Sequence, residues 1–159
     1  MKIGVISDTH LSSPSKKLSE LAQGAFKDVS FLLHAGDITS MQVLDAFFGL
    51  EVIAVSGNMD DYGVTSALPA KRVAEIDGFR IGMIHGWGGK RGLEERVRKS
   101  FGNVDAIVYG HSHIPVNHVK NGILIFNPGS FMGSYFKKKD ASVGILTTDE
   151  SIRGEIIKI

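Results

Sequence analysis

The feature that most constrains the fold is a series of short runs rich in valine and isoleucine, each stopped by a turn residue. Six runs are clear: Lys2–Ser7, Ser30–Ala35, Glu51–Ser56, Arg80–Ile84, Asp105–Tyr109 and Ile123–Phe126. Several are apolar at consecutive positions, which indicates strands that are covered on both faces by other layers. The chain has 159 residues, a length typical of one domain. We therefore expect residues 1–159 to form a single domain.

Helical periodicity lies between these runs. Ser15–Lys27 and Gly89–Phe101 each place apolar residues on one face, at a spacing close to that of an α-helix. Ser40–Phe48 shows a similar pattern, with Ser40 as the expected N-cap. The first half of the chain therefore alternates strand and helix, which predicts parallel strands joined by right-handed crossovers.

The second half favours hairpins. Short polar turns join three pairs of apolar runs: Lys71–Ile76 with Phe79–Ile84, Val116–Lys120 with Ile123–Phe126, and Ser142–Thr147 with Ile152–Ile157. Asp77-Gly78 and Asn121-Gly122 separate the first two pairs, and such dipeptides are strong signals of two-residue hairpin turns. We expect this half to be mostly antiparallel, and the whole chain to be an α/β domain of two packed sheets with helices outside.

The composition argues against several classes of protein. The chain has 18 basic and 17 acidic residues and a net charge of +1, so neither a nucleic acid duplex nor a membrane surface is an expected partner. It has no cysteine, which excludes disulfides, thiolate metal sites and cysteine nucleophiles. The apolar run at the N-terminus is too short for a secretory signal. We expect a cytoplasmic protein without a membrane span.

Polar residues follow five of the predicted strands. The motifs are Asp8-Thr9-His10, Gly36-Asp37, Gly57-Asn58, His85-Gly86 and Gly110-His111-Ser112-His113. Ligands of open α/β sheets bind beyond the carboxyl ends of the strands. Asp, Asn and Gly are common in turns for local reasons, but that does not explain why four of the six histidines lie at one edge. Oxygen ligands mixed with imidazoles suit first-row divalent metals.

In this order, the five motifs resemble those of the calcineurin-like metallophosphoesterases. The chain length and the tail Asn127-Pro128-Gly129-Ser130 are similar to the small bacterial and archaeal phosphodiesterase branch, to which the retromer scaffold subunit is related. The resemblance runs from Met1 to about Ser130. It implies a four-layer α-β-β-α sandwich of two mixed sheets with outer helices, and a two-metal site at one end of the sheets.

The resemblance also implies which residues hold the metals. Two divalent ions would share seven ligands: Asp8, His10 and His113 for the first ion, Asn58, His85 and His111 for the second, and Asp37 for both. Asp37, Asn58 and His85 are the expected catalytic residues among them. Two ions about 3.5–4 Å apart activate a bridging hydroxide for in-line attack on phosphorus. Manganese is the expected metal, with nickel, zinc, iron and magnesium as alternatives.

The chain departs from the family pattern at three places. Many larger members have a histidine after Gly-Asn that acts as general acid, whereas Met59 stands here and cannot donate a proton. Small members often have His-Gly-His where this chain has His85-Gly86-Trp87, and Trp87 offers a stacking face for a base or aryl ring. The segment Phe131–Lys139, with its short basic run Lys137–Lys139, lacks an expected Pro-Arg sequence.

Other polar residues have simpler interpretations. We expect His34 to be packed in the core, His118 to lie at the surface, and Asp60 to orient a neighbour. We expect Asn127–Ser130 to form a turn, and the resemblance implies that this turn lines the site. Lys90, Arg91 and the Arg96–Lys99 cluster could meet a substrate phosphate, although a solvated helix face better explains Arg96, Arg98 and Lys99.

The sequence therefore predicts a metal-dependent phosphodiesterase that hydrolyses small phosphodiesters by a two-metal, bridging-hydroxide mechanism. Two alternatives stay open: a phosphomonoesterase acting on a nucleotide or sugar phosphate, and a non-catalytic scaffold or binding protein on the same fold. Side chains able to bind metal fill all seven ligand positions, which favours an enzyme. The missing histidine acid argues against the monoesterase, and the sequence leaves a homo-oligomer open.

Overall fold

The computed structural model describes residues 1–133 and 140–159, and over these residues the chain forms ten strands in two sheets. The strands are β1 (Lys2–Ile6), β2 (Phe31–His34), β3 (Glu51–Ala54), β4 (Lys71–Ile76), β5 (Phe79–Ile84), β6 (Ala106–Val108), β7 (Val116–Lys120), β8 (Ile123–Asn127), β9 (Ser142–Thr148) and β10 (Ile152–Lys158). The helices are α1 (Lys16–Gln23), a 3-10 helix (Met41–Phe47), α2 (Tyr62–Ala67) and α3 (Leu93–Lys99). The basic run Lys137–Lys139 and most of the segment Phe131–Lys139 lie outside the described residues.

The first sheet has the strand order β10-β9-β1-β2-β3. β1, β2 and β3 are parallel, with Ile6 opposite His34 and His34 opposite Ala54. The strand–helix alternation of the first half therefore predicted the pairing correctly. β9 joins the other side of β1 in antiparallel orientation, and β10 pairs with β9. The last predicted hairpin thus extends the first sheet.

The second sheet has the strand order β4-β5-β6-β8-β7. The hairpins β4–β5 and β7–β8 are antiparallel, as their Asp-Gly and Asn-Gly turns predicted. Together with β9–β10, these pairs make the second half mostly antiparallel, as predicted. β5, β6 and β8 are nevertheless parallel to one another. The helix α3 forms a crossover from β5 to β6, and β7 runs antiparallel to β8 at the outer edge of the sheet, so β8 is parallel to β6.

The sheets pack face to face, and helices cover their outer faces. Residues between the sheets include Val5, Leu33 and Val108, all fully buried. On the outer face of the first sheet, Leu32 packs in a cluster with residues of α1 and the 3-10 helix. On the outer face of the second sheet, Ile107 packs in a cluster with Leu93 and Val97 of α3. The predicted four-layer α-β-β-α sandwich of two mixed sheets is confirmed.

The helices differ from the prediction in length and type. α1 begins after Ser15, whose Oγ accepts a hydrogen bond from the Leu18 amide, and it ends at Gly24. The segment predicted as Ser40–Phe48 is a 3-10 helix, and the Ser40 side chain makes no capping hydrogen bond. α2 was not predicted, because its six residues are too few to show a periodicity; Asp61 caps it. Among the described residues, no helix has the length and apolar character needed to cross a membrane.

Candidate metal centre

The predicted site residues come together at one edge of the sandwich. Asp8 and His10 follow β1, Asp37 follows β2, and Asn58 follows β3. The second sheet contributes the remaining three, with His85 after β5 and the pair His111 and His113 after β6. We call this the ligand edge. Because β1, β2, β3, β5 and β6 all end here, the strand directions place the seven side chains in one region.

Ligand atoms from different loops lie within 4 Å of one another. His113 Nε2 is 3.1 Å from Asp8 Oδ1 and 3.4 Å from His10 Nε2. His85 Nε2 is 3.2 Å from Asp37 Oδ2. Two bonds of about 2.1 Å at right angles on one metal ion separate their ligand atoms by about 3.0 Å. The observed separations therefore match those of neighbouring ligands on an ion.

Two of the predicted ligands in the described residues have a buried atom without a hydrogen-bond partner, namely Asp8 Oδ1 and His85 Nε2. Both point into the space that the other ligands share, since His85 Nε2 lies 3.9 Å from Asp8 Oδ1. A buried carboxylate oxygen without a partner is costly, and buried polar groups in native proteins are almost always satisfied. A divalent cation would satisfy both atoms, so the residues present fit a metal.

The carboxylates lie between two groups of histidines. Asp8, His10 and His113 form one cluster of potential ligand atoms, and Asp8, Asp37 and His85 form another. Asp8 therefore belongs to both clusters of ligand atoms, whereas the sequence led us to expect that Asp37 would be the ligand shared by the two ions. Asp37 Oδ2 is also 3.8 Å from His10 Nε2, so each carboxylate reaches both sides.

Asn58 and His111 form a separate pair at the rim. Asn58 Oδ1 is 2.9 Å from His111 Nδ1, and both side chains are more exposed than Asp8 or His85. The His111 ring lies beside the buried ligand His85, with ring centroids 5.3 Å apart, but His111 belongs to neither cluster of His, Asp and Glu ligand atoms in the described residues.

Hydrogen bonds hold one oxygen of each aspartate and leave the other oxygen facing the site. Asp8 Oδ2 accepts from Ser7 Oγ at 2.6 Å and from the His111 amide at 3.2 Å. Asp37 Oδ1 accepts from the Met59 amide at 2.8 Å. Ser7 was not predicted, because a serine at the end of a strand carries no signal of its own.

Backbone carbonyls orient two of the histidines. His85 Nδ1 donates to the Ala35 carbonyl at 2.8 Å, which leaves Nε2 without a proton when the ring is neutral. His111 Nε2 donates to the Gly88 carbonyl at 2.7 Å, which leaves Nδ1 available towards Asn58. Such partners commonly fix the tautomer of metal-binding histidines. Sequence reasoning could not find them, since the direction of a carbonyl depends on the fold.

The buried pair Asp37 and His85 is electrostatically coupled. Burial would raise the pKa of Asp37, but the nearby His85 ring and the Met59 amide hold it below its ordinary value. Burial would lower the pKa of His85, but the Asp37 and Asp8 carboxylates raise it above its ordinary value. Both shifts favour the charged form of each group, because each group lies beside an opposite charge.

The backbone is strained where the ligands lie. Eight non-glycine residues in the described part of the chain have φ in the left-handed region, and five are predicted ligands: Asp8, His10, Asp37, His111 and His113. This conformation costs about 1–3 kcal/mol for a residue other than glycine. Such strain clusters at functional sites, where the surrounding structure imposes it.

Two glycines allow the loops to approach the aspartates. A Cβ atom on Gly110 would collide with Ser7 Oγ and Asp8 Oδ2, and one on Gly57 would collide with Asp37. The glycines that precede His111 and Asn58 are therefore required by close contact rather than by turn geometry.

Three further sequence predictions are confirmed. Asp60 orients its neighbours, since its two oxygens accept from the Thr39 and Gly57 amides at 2.6 and 2.7 Å. His34 is fully buried and hydrogen-bonds through Nε2 with Thr9 Oγ1 at 3.2 Å. His118 is exposed and pairs with a glutamate of α3.

Two other interpretations need correction or refinement. The Asn127 side chain is buried and donates to the Gly110 carbonyl at 2.8 Å, so it supports the His111 loop instead of lining an open pocket. The prediction for Arg96 needs refinement, because its exposed guanidinium donates hydrogen bonds to the Arg91 and Trp87 carbonyls of the loop before α3. Arg98 and Lys99 do lie on the solvated face, where both pair with Glu95.

Known proteins share this sequence pattern. The sequence profile of the calcineurin-like phosphoesterase superfamily domain matches residues 1–151. A probable metallophosphoesterase of Methanothermobacter thermautotrophicus is 38% identical over 99% of this chain and 92% of its own length. A phosphodiesterase of Methanocaldococcus jannaschii is 30% identical over 99% of both chains.

Known structures share the fold. A structurally characterised archaeal phosphodiesterase has a TM-score of 0.75 and 26% identity, over 99% of this chain and 100% of the other. A Vps29 variant from Entamoeba histolytica has a TM-score of 0.71 and 26% identity, over 100% of this chain and 99% of the other. The resemblance seen in the five motifs is confirmed, and this chain belongs to the calcineurin-like phosphoesterase superfamily.

Proposed function

We propose that this protein is a metal-dependent phosphodiesterase that hydrolyses small phosphodiesters at the ligand edge. The observation that carries the proposal is the pair of buried, unpartnered ligand atoms, Asp8 Oδ1 and His85 Nε2, among converging imidazoles and carboxylates. The relative from Methanocaldococcus jannaschii, which is named a phosphodiesterase, supports this choice of reaction.

In this proposal two divalent ions share the seven predicted ligands. Asp8, His10 and His113 would hold one ion, Asn58, His85 and His111 would hold the other, and Asp37 would serve both. Bound divalent ions supply Lewis acidity towards phosphate oxygens and a water whose pKa is near neutral. Manganese is the proposed metal, and nickel, zinc, iron and magnesium are alternatives.

The chain's own residues keep this arrangement rigid. The Met59 amide fixes one oxygen of Asp37, and Ser7 together with the His111 amide fixes one oxygen of Asp8. Each aspartate therefore presents its second oxygen without a change of rotamer. Preorganised charge of this kind needs no reorganisation during the reaction, which is why it is effective in catalysis.

The leaving group receives no help from the position after Asn58. Met59 has an exposed side chain that cannot donate a proton, so the leaving-group oxygen must take its proton from solvent. Diesters with acidic leaving groups, such as aryl phosphodiesters, are therefore the preferred substrates. The half-exposed ring of Trp87 offers a stacking surface for an aryl or nucleobase group.

Two alternatives remain as outcomes of the test. A phosphomonoesterase would use the same ions but would need proton donation to a poor leaving group. A non-catalytic binding protein on this fold is suggested by the structural likeness to Vps29. Competent side chains at all seven ligand positions favour the enzyme.

Metal content and substrate preference test the proposal together. The metal-free protein is reconstituted with Mn, Ni, Mg or Zn, and each form is assayed with an aryl diester, an aryl monoester and cyclic nucleotides. We expect close to two Mn ions per chain by elemental analysis, and faster turnover of the aryl diester than of the monoester. Folded protein that binds less than one ion at saturating supply and shows no turnover would indicate the binding protein. Preference for the monoester would indicate the phosphomonoesterase.

A further inference from the structure

We infer that Arg96 is a positioning residue for the metal centre: its guanidinium fixes the loop that orients the His111 ring. The loop is the segment Gly86–Gly92, which we call the glycine loop because four of its seven residues are glycine. The inference rests on the proposed function in one respect, namely that His111 binds a metal.

The first step is that the Arg96 guanidinium donates several hydrogen bonds to the glycine loop. Its Nη2 and Nε atoms donate to the Trp87 carbonyl at 2.8 and 3.2 Å, and its Nη1 atom donates to the Arg91 carbonyl at 3.0 Å. Nη2 also donates to the Gly89 carbonyl. One guanidinium therefore binds three carbonyls of the same loop. A lysine ammonium lacks the planar fork of donors that this requires.

The second step is that the glycine loop needs such a partner. Gly86, Gly88 and Gly92 have φ values of 103°, 76° and 72°, in a region that glycine adopts freely. Glycine also loses more conformational freedom on ordering than any other residue. The loop lies between β5 and α3 and belongs to neither. The hydrogen bonds from Arg96 therefore offset the large loss of conformational entropy that accompanies ordering of the loop.

The third step connects the loop to His111. Gly88 lies between Trp87 and Gly89, whose carbonyls Arg96 holds, and the Gly88 carbonyl accepts from His111 Nε2 at 2.7 Å. A carbonyl can only accept, so Nε2 carries the proton and Nδ1 keeps its lone pair. On the neutral ring that lone pair lies 2.9 Å from Asn58 Oδ1, another acceptor, so a cation between the two atoms would satisfy both.

The effect is confined to one side of the metal centre. His10 and His113 lie against Asp8 and each other, and Arg96 makes no hydrogen bond to either among the described residues. A loosened glycine loop should therefore weaken the ion held by Asn58, His85 and His111, and leave the ion at His10 and His113 unaffected.

The same helix offers a matched control. Arg98 lies two residues after Arg96 on α3 and pairs with Glu95 at 3.4 Å, away from the glycine loop. Arg96→Lys and Arg98→Lys each keep the charge and remove one guanidinium. Only the first should affect the metal centre if the fork of Arg96 is what positions the loop.

Manganese binding is the first readout. The metal-free full-length chain is titrated with Mn²⁺, and free Mn²⁺ is followed by electron paramagnetic resonance. We expect Arg96→Lys to weaken one of two sites by about 10–100-fold, the usual effect of removing a group that orients a metal ligand. The other site should not change, and neither site should change in Arg98→Lys. Two unchanged sites in a folded Arg96→Lys protein would overturn the inference.

The ring of His111 is the second readout, and it needs no metal. ¹⁵N NMR of the metal-free protein at neutral pH reports which imidazole nitrogen carries the proton, with the His111 signal assigned from its loss in His111→Gln. We expect the Nε2-protonated form in the wild type and Arg98→Lys, and a mixture of tautomers in Arg96→Lys. An unchanged tautomer in Arg96→Lys would overturn the inference.

The two readouts separate this inference from the proposed function. If the wild type binds fewer than two ions, the proposed two-metal function fails, and the NMR result alone decides the role of Arg96. If Arg96→Lys does not fold, Gly88→Ala replaces it, because an alanine at a φ of 76° strains the same loop. Gly88→Ala should then show the weakened site and the mixed tautomers, and their absence would overturn the inference.

Discussion

The two edges of the sandwich use the same backbone conformation for different purposes. At the edge opposite the ligands, which we call the hairpin edge, Asp77-Gly78 and Asn121-Gly122 connect antiparallel strands with φ values between 53° and 80°. Two-residue turns of this kind require left-handed residues and favour Asp-Gly and Asn-Gly. At the ligand edge, the left-handed residues include His10, His111 and His113, which no hairpin turn requires to adopt this conformation.

The difference separates stability from chemistry. At the hairpin edge, Asp77 and Asn121 tolerate the left-handed conformation and the glycine after each adopts it freely, so the turns favour the paired strands. At the ligand edge, each left-handed residue costs about 1–3 kcal/mol, and the result is the convergence of ligand atoms in one place. Substitutions at the ligand edge should therefore change metal binding and turnover, whereas those at the hairpin edge should change stability alone.

The most severe test of this comparison replaces one aspartate at each edge. Asp37→Asn preserves the volume of the side chain but removes a charged oxygen that faces both groups of histidines. Loss of several kcal/mol of charge stabilisation corresponds to about a 10³-fold fall in kcat. The assay uses an aryl diester at saturating Mn²⁺, with folding checked by circular dichroism.

Asp77→Asn is the matched control, since Asp77 is also a left-handed aspartate but lies at the hairpin edge. Its turnover should equal that of the wild type. Near-native turnover and two bound ions in Asp37→Asn would show that the centre is wrongly assigned, and Asp60 and Asp61 would be the next carboxylates to test.

Met59 allows the chemistry of the ligand edge to be changed without touching a proposed ligand. Its amide holds Asp37 while its side chain is exposed, so Met59→His keeps the backbone contact and adds a proton donor. We expect a rate increase of up to about 10²-fold on alkyl diesters, and little change on aryl diesters. The measurement is kcat across a series of leaving groups. A rate in the wild type that does not depend on leaving-group pKa, with chemistry rate-limiting, would contradict the assigned role of Met59.

Local chemistry explains which parts of the fold could be predicted from the sequence. Apolar runs located the strands, and Asp77-Gly78 and Asn121-Gly122 located two hairpins, because turn type depends on the turn residues themselves. The order of the five polar motifs pointed to the family and its sandwich. The parallel pairing of β5, β6 and β8 could not be predicted, since it depends on how α3 and β7 cross the sheet.

The convergence of the predicted ligands at one edge could be predicted from the sequence, but the geometry of their contacts could not. Carboxylates and imidazoles after strands signal metal binding by type and position. The groups that orient them, such as the Ala35 and Gly88 carbonyls, depend on backbone directions that no residue type encodes. Arg96 shows the same limit, because on a basic helix it cannot be told apart from Arg98 until the glycine loop is folded against it.

His34 sharpens the comparison, because it ends β2 at the ligand edge yet acts on stability. Burial is the main cause that lowers its pKa to about 3; Asp8 opposes the shift and His85 adds to it. The unfolded chain therefore binds more protons than the folded chain between pH 3 and the ordinary value of 6.5. The free energy of unfolding should fall as the pH drops below 6.5, by up to about 1.4 kcal/mol per pH unit.

His34→Gln removes this titration. Urea unfolding of the metal-free wild type and variant at pH 7.0 and 5.5 should show that acidification costs the wild type about 1–2 kcal/mol more than the variant. The variant's kcat at saturating Mn²⁺ should stay close to that of the wild type. A variant with unchanged acid sensitivity and reduced turnover would instead place His34 in the chemistry of the ligand edge.

The smallest expected effect isolates the backbone at the hairpin edge. Gly122 has a φ of 77°, and a Cβ atom there would meet no atom within 4 Å, so Gly122→Ala introduces backbone strain without a clash. The left-handed region costs a residue with a Cβ about 1–2 kcal/mol, which lowers the Tm of a protein of this size by about 3–6 °C. Gly102→Ala is the control, because Gly102 has equally open space but no left-handed φ, and its Tm should not fall. Turnover should be unchanged in both variants. A loss of turnover in Gly122→Ala without a loss of Tm would break the separation between the two edges.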